Sequence, residues 1–257
     1  MKLIDTHCHL YAENFKDDIS QMLEKARKTG VKQFFFPAID KETYQDMINL
    51  EQQFPGECYA MMGLHPCSVK DDFKQQLQIA RSWLEKRKFI AIGETGLDFY
   101  WDKTFATQQY DALHTQIQWA LEYNLPIVLH TRNAMQETID VIKSYTGNGL
   151  KGVFHCFGGT PGEAGQIAET GFLMGIGGVV TYKNNSLDIV LKQMDLKHFV
   201  LETDAPYLSP VPYRGKRNES SYLPLIAKKI SEIKQVTVEE IGRVTDENAN
   251  NLFKINR

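Results

Sequence analysis

Seven histidines are spread over 257 residues, and most of them stand directly after a short apolar run. His7 and His9 close the first such run, His65 the third, His130 the fifth and His155 the sixth. Glu94 closes the fourth and Asp204 the eighth. His7 and His9 are two residues apart, and alternate side chains of an extended segment point the same way, so both imidazoles can reach one ion. Cys8 and Cys156, each beside a histidine, then face away, which argues against thiolate ligands. Glu94 lies between glycines in Ile92-Gly93-Glu94-Thr95-Gly96, where other groups can crowd its carboxylate, and two carboxylate oxygens can bridge two cations. Taken singly, each signal has an ordinary explanation. An isolated His-x-His is commonly a surface pair, a lone histidine after an apolar run is commonly a hydrogen-bonded core residue, and Asp204 before Ala205-Pro206 suits a turn. Their convergence favours metal ligation by His7, His9, Glu94, His130, His155 and Asp204. Mixed nitrogen and oxygen donors suit two divalent ions (Mg²⁺, Mn²⁺ or Zn²⁺), with the imidazoles leaning toward the transition ions. Two ions roughly 4 Å apart activate water and hold the attacking and leaving oxygens of a displacement at phosphorus. Asp204 is then the proton acceptor, and Glu94 and His65 complete the catalytic set, His65 from outside the metal shell.

Such a gathering requires strands that all end at one rim. The strand-like runs are 2–6, 32–37, 57–62, 89–92, 126–129, 151–154, 172–176 and 198–201. Helix-like runs separate them, over 17–28, 41–53, 70–87, 104–124, 134–145, 161–169 and 186–194. Two more helices follow, and Thr237 with Glu240 forms a capping box for the last. Gly30 stands where a helix-stop glycine belongs. The strands are continuous apolar runs, as in parallel sheets covered by helices on both faces. Eight strand-then-helix units give a single (β/α)8 TIM-barrel domain over 1–257, with its chemistry at the C-terminal strand ends. The alternative, an open doubly wound sheet, would bring a glycine-rich first turn, and Asp5-Thr6-His7-Cys8-His9 is not one.

Composition narrows the function. Charged residues make up 24% and hydrophobic residues 42%, ordinary for a globular chain. The net charge of −3 disfavours a protein that coats nucleic acid non-specifically, so any attraction to DNA is local. No apolar run suggests a signal peptide or membrane span, and a cytoplasmic location without an obligatory protein partner is expected. The four cysteines form no close pair, which favours free thiols over a structural zinc site. Arg132, two residues past His130, can grip a phosphate. Arg214, Lys216 and Arg217 form a basic loop after the eighth strand, with Arg214 and Arg217 as candidate substrate contacts beside His65. Phe99-Tyr100-Trp101 either stacks on unpaired bases or covers the rim.

Several of these segments, in order, carry a family likeness: Asp5-Thr6-His7-Cys8-His9-Leu10, Gly63-Leu64-His65-Pro66, Gly93-Glu94-Thr95-Gly96-Leu97-Asp98-Phe99, His130-Thr131-Arg132, His155-Cys156-Phe157, Glu202-Thr203-Asp204-Ala205-Pro206 and Arg214-Gly215-Lys216-Arg217-Asn218-Glu219. Over its whole length the chain resembles the TatD family of metal-dependent deoxyribonucleases, within the amidohydrolase-like barrels. The resemblance implies that His7, His9 and Asp204 hold one ion, that His130 and His155 hold the other, and that Glu94 bridges them where related barrels often use a carboxylated lysine. It implies hydrolysis of phosphodiester bonds at single-stranded DNA ends, in the 3′ to 5′ direction. Asn133 and Ser220 depart from the family's usual Asp and Pro and bear on substrate preference. The competing readings are a same-fold hydrolase of another ester or amide bond, such as a D-aminoacyl-tRNA deacylase, a non-catalytic barrel that keeps metal for stability, and a plain nucleic-acid-binding module.

Overall fold

The computed structural model describes residues 2–183 and 185–255. Eight parallel strands alternate with helices: β1 (Leu3–Asp5), α1 (Ile19–Lys28), β2 (Val31–Phe36), α2 (Tyr44–Gln53), β3 (Cys58–Ala60), α3 (Phe73–Lys86), β4 (Ile92–Asp98), α4 (Ala106–Tyr123), β5 (Ile127–Arg132), α5 (Met135–Lys143), β6 (Gly152–Phe154), α6 (Pro161–Glu169), β7 (Leu173–Ile176), α7 (Leu187–Gln193) and β8 (Phe199–Leu201), then α8 (Leu223–Lys234) and α9 (Val238–Phe253). Strands β1 to β3 form one parallel ladder and β4 to β8 another. A parallel bridge between Met62 and Ile92 joins β3 to β4, and the Thr6 N–H donates to the Leu201 carbonyl at 3.0 Å, joining β1 to β8. The ring closes, and the fold is a (β/α)8 barrel. None of the described helices is long and apolar enough to cross a membrane.

The strands read as continuous apolar runs because each has a partner layer on both sides. Phe34 and Phe36 of β2, Ile127 and Leu129 of β5, and Phe199 and Leu201 of β8 pack outward with helix residues such as Met22, Leu23, Leu113 and Ile117. The alternate residues Ile4, Phe35, Met61, Ala91, Val128, Val153 and Val200 point into the barrel and fill its floor. Helix α9 closes that floor from below with Ala249, Leu252 and Phe253, and the Phe253 ring meets Phe35 edge-on at 4.9 Å.

Two expectations shift. The fourth strand does not end at 92, because it runs on through Glu94 to Asp98 and pairs with β5 as far as Arg132. Its register slips by one residue between Ile92 and Thr95, so the glycines flanking Glu94 belong to a bulged strand rather than to a loop. Thr237 accepts the Glu240 N–H at 3.2 Å, but the Glu240 carboxylate turns to Arg243 instead of completing a box. The reciprocal box forms at Thr160 and Glu163, at the start of α6.

Candidate active site

The mouth of the barrel lies one side-chain step above its floor. Val128 and Val153 belong to the floor layer, and two residues further along each strand come His130 and His155. Strand alternation therefore lifts both imidazoles into the mouth on the same inner face. The bulge in β4 presents Glu94 there as well. At Gly96, φ is +141° and an added Cβ would lie 2.1 Å from the His130 carbonyl oxygen, so only glycine lets β4 pass this close to β5. The tails of β1 and β8 zip together. Asp204 donates its N–H to the His7 carbonyl at 2.9 Å, and His9 donates to the Ala205 carbonyl at 2.7 Å. Asp5 steadies this turn by accepting from the Thr203 N–H, the Thr203 hydroxyl and the Ser220 hydroxyl, while burial pushes its own carboxyl up to about 6. Asp204 itself sits at φ 57°, a left-handed conformation that Asp tolerates better than most residues.

Glu94 occupies the centre. Its Oε2 is 3.1 Å from Nε2 of His7 and 3.7 Å from Nε2 of His9. Its Oε1 is 2.8 Å from Nδ1 of His130, 2.9 Å from Nε2 of His155 and 3.2 Å from Nε2 of His65. Asp204 Oδ1 stands 3.7 Å from His7 and 3.6 Å from His9. The His7 and His155 rings stack at 3.8 Å. Burial alone would raise the Glu94 carboxyl, but His155, His65 and His7 outweigh it and hold the group well below the usual carboxylate range. Asp204 is likewise kept low by His9, His155 and His7 against the effect of burial, so both acids are ionised.

The hydrogen bonds constrain where the ring nitrogens carry protons. Tyr11 donates its only hydroxyl proton to the Pro37 carbonyl, so its oxygen accepts from Nδ1 of His9 at 3.0 Å. In a neutral ring that leaves Nε2 of His9 bare, facing the two carboxylates. Asp98, held ionised by His130 and by the Tyr100 N–H against burial, accepts from Nε2 of His130 at 2.9 Å. Nδ1 of His130 faces Glu94 Oε1 at 2.8 Å, and the Asp98 and Glu94 carboxylates favour positive charge here against burial. Both nitrogens of fully buried His7 lack a hydrogen-bond partner among the described residues. Bare lone pairs aimed at carboxylate oxygens repel unless a cation or proton lies between them, so this donor set fits divalent metal. Three groupings have ligand atoms close enough to hold an ion: His7 with His155 and Asp204, His7 with His9 and Glu94, and His65 with Glu94 and His130. His65 is the exception by proton count. Its Nδ1 accepts the Cys67 N–H at 3.0 Å, so its neutral ring carries the proton on Nε2 and donates there instead of ligating.

Residues 4–254 match the model of the TatD related DNase family. The chain belongs to the TatD family. It is 36% identical over 255 residues to the metal-dependent hydrolase YabD of Bacillus subtilis, covering 99% of this chain and 100% of that protein. It is 30% identical over 262 residues to a Yersinia pseudotuberculosis protein named 3′-5′ ssDNA/RNA exonuclease TatD, covering 98% and 100% of the two. Among solved structures, the TatD homologue YjjV of Escherichia coli superposes with a TM-score of 0.92 at 28% identity, covering 98% of each chain. This protein is accordingly a metal-dependent hydrolase of TatD type.

Two acids of this TatD site escaped the sequence reading. Glu202 is 1% exposed, lies with Oε1 3.6 Å from Nδ1 of His155 and accepts the Cys156 N–H. A Cβ on Gly175 would come within 2.1 Å of its Oε2, so that glycine makes its room. The signal was present, because Glu202 follows the floor residue Val200 by the same two-residue step that separates His130 from Val128. Asp98 was missed because the fourth strand was ended too early. The cysteines stay out of this cluster. Cys8 is buried against the Phe35 carbonyl, and burial pushes the Cys156 thiol well above its ordinary range, with Asp204 and Glu202 adding to the effect.

The arginines divide. Arg27, Arg81, Arg87, Arg217 and Arg243 each pair with a carboxylate. Arg217, expected beside Arg214 as a substrate contact, instead makes two bonds to Asp18 at 2.8 and 2.6 Å, donates to the Asn14 carbonyl and lies over Phe15. An acid is within its reach and takes it. Arg132 and Arg214 have no carboxylate partner among the described residues. Their guanidiniums rest on the rings of Tyr100, at 3.9 Å, and Tyr182, at 4.4 Å. Of the aromatic run, Phe99 packs toward the core, whereas Tyr100 and Trp101 stand in solvent.

Proposed function

We propose that this protein is a two-metal phosphodiesterase that removes nucleotides from single-stranded DNA ends in the 3′ to 5′ direction. The observation that carries the reading is the single Glu94 carboxylate whose two oxygens face two different sets of imidazole nitrogens. His7, His9 and Asp204 would hold one ion, His130 and His155 the other, with Glu94 shared. Bound divalent ions would supply Lewis acidity at the phosphate and an activated water. Asp204 is ionised and pinned by its turn, and it accepts the proton of the attacking water. His65 aims Nε2–H into the same space and donates to an oxygen that gains charge as the bond breaks. Arg132 and Arg214 carry positive charge that no acid of the described chain neutralises, which suits a phosphate more than a neutral ester or amide. Asp98 fixes the far side of His130 by a hydrogen bond, and Glu202 places its charge 3.6 Å behind Nδ1 of His155. The named activity of the Yersinia relative supports the same substrate and polarity.

The test is digestion of end-labelled single-stranded DNA by metal-stripped protein, with Mg²⁺, Mn²⁺ or Zn²⁺ restored in turn and aminoacyl-tRNA assayed alongside. A ladder shortening from the 3′ end, dependent on added cation, is expected. Deacylation without any shortening of DNA would replace this reading with the carbonyl-directed one.

A further inference from the structure

Tyr100 and Trp101 are large side chains left in water at the mouth, 52% and 69% exposed. They are not a loose tip. The N–H groups of both residues donate to Asp98 Oδ1, at 3.0 and 3.3 Å, while Asp98 Oδ2 holds Nε2 of His130. One carboxylate therefore ties the aromatic pair to a histidine of the metal cluster. The two rings meet edge to face at 4.9 Å. Arg132, projecting from the end of β5, places its guanidinium 3.9 Å from the Tyr100 ring centre and 5.1 Å from that of Trp101. A cation without an acid partner thus covers one part of the pair, and the larger ring keeps most of its surface in solvent.

We infer that Trp101, held by Tyr100 and Arg132, is a stacking subsite for one unpaired nucleobase adjacent to the scissile phosphate. This rests on the phosphodiesterase reading and adds how the same site distinguishes a single strand. Two features identify the occupant. An indole face offers no sequence-specific hydrogen bonds but accepts any base, and a guanidinium beside it accepts the phosphate linked to that base. A base paired in a duplex has its faces covered by its neighbours and would have to leave the stack before reaching Trp101. The subsite therefore selects for unpaired ends without reading sequence.

The measurement separates base from backbone. A labelled hexathymidylate and a strand of the same length with abasic terminal residues are titrated against metal-free wild type, Trp101→Ala and Trp101→Phe, with binding followed by anisotropy. Cleavage of both strands by the Mn²⁺-loaded proteins is then timed. Wild type is expected to bind the thymidylate roughly 5- to 100-fold tighter than the abasic strand. Trp101→Ala removes that preference without weakening the abasic strand, and Trp101→Phe retains part of it. In turnover the loss falls on KM more than on kcat. Equal binding of both strands by wild type overturns the stacking subsite while leaving the nuclease intact, provided cleavage proceeds. Equal weakening of both strands by Trp101→Ala also overturns it, since the ring would then merely shape its loop. No cleavage of either strand by loaded wild type removes the phosphodiesterase reading and this inference together.

Discussion

The floor and the mouth of this barrel are two side chains apart along the same strands, and they are built on opposite terms. The floor is hydrocarbon: Ile4, Phe35, Met61, Val128, Val153 and Val200, sealed by Leu252 and Phe253. The mouth holds ionised carboxylates, imidazole nitrogens without hydrogen-bond partners at His7 and His155, and left-handed residues at Asn133, Cys156, Asp204 and Leu208. Buried polar atoms left unpaired and non-glycine residues at positive φ each lower stability. The mouth is affordable because the layer beneath it and the helices around it are closely packed. The comparison teaches that stability and chemistry are segregated by height in the barrel, so a substitution should affect one and spare the other.

The largest expected effect is at the mouth. Asp204→Asn keeps the turn but removes the proton acceptor and one ligand oxygen, and the expected loss in kcat is roughly 10²- to 10⁴-fold with little change in melting temperature. Steady-state hydrolysis and thermal unfolding of the same preparation check both halves. A large drop in melting temperature with no turnover to lose would favour the metal-stabilised, non-catalytic barrel. The complementary substitution lies below. Phe253→Ala removes the ring that seals Phe35, and the expected destabilisation is about 3–5 kcal/mol by denaturant unfolding. Activity per folded molecule should hold. If it fell as steeply as in the Asp204 variant, floor and mouth would not be separable.

Between these limits stand the acids behind the histidines. Glu202→Gln and Asp98→Asn leave every proposed ligand in place but withdraw the charge that orients His155 and His130. Metal affinity is expected to fall roughly 10- to 100-fold, with activity recovered at raised Mn²⁺ or Zn²⁺. Calorimetric titration of metal into stripped protein reads this directly. Activity that stays lost at saturating metal would give these acids a part in the chemistry itself.

How much of this was legible in the sequence follows from the same geometry. His7, His9, His130, His155 and Asp204 could be read because each closes a short apolar run, and in a parallel barrel all such runs end at one rim. Glu202 obeyed the same two-residue rule and was overlooked because Asp204 beside it claimed the role. Asp98 was illegible for a different reason. The bulge at Gly93-Glu94 depends on β4 pairing with β5, which lies over thirty residues along the chain, so local pattern ended the strand too early. Arg217 shows the limit of reading charge from sequence, because nothing near it in the chain indicates that Asp18 folds back against it.

Arg217 also supplies the smallest and most discriminating test. It follows Arg214 by three residues in the same basic loop, yet its guanidinium is spent on Asp18 and Phe15 whereas that of Arg214 lies over Tyr182. Position would make the two arginines equivalent, and partners make them different. Arg217→Ala removes a half-exposed ion pair, so a stability loss of about 1 kcal/mol or less is expected, with kcat/KM on single-stranded DNA unchanged. Arg214→Ala has no ion pair to lose and should leave melting unchanged while weakening DNA binding and flattening its dependence on salt, since one phosphate contact fewer releases one counterion fewer. Binding measured across a salt series for both variants decides it. If Arg217→Ala proved to be the one that flattened the salt dependence, the pairing with Asp18 would yield to substrate, and the rim could not be sorted into structural and substrate-facing arginines by their resting partners.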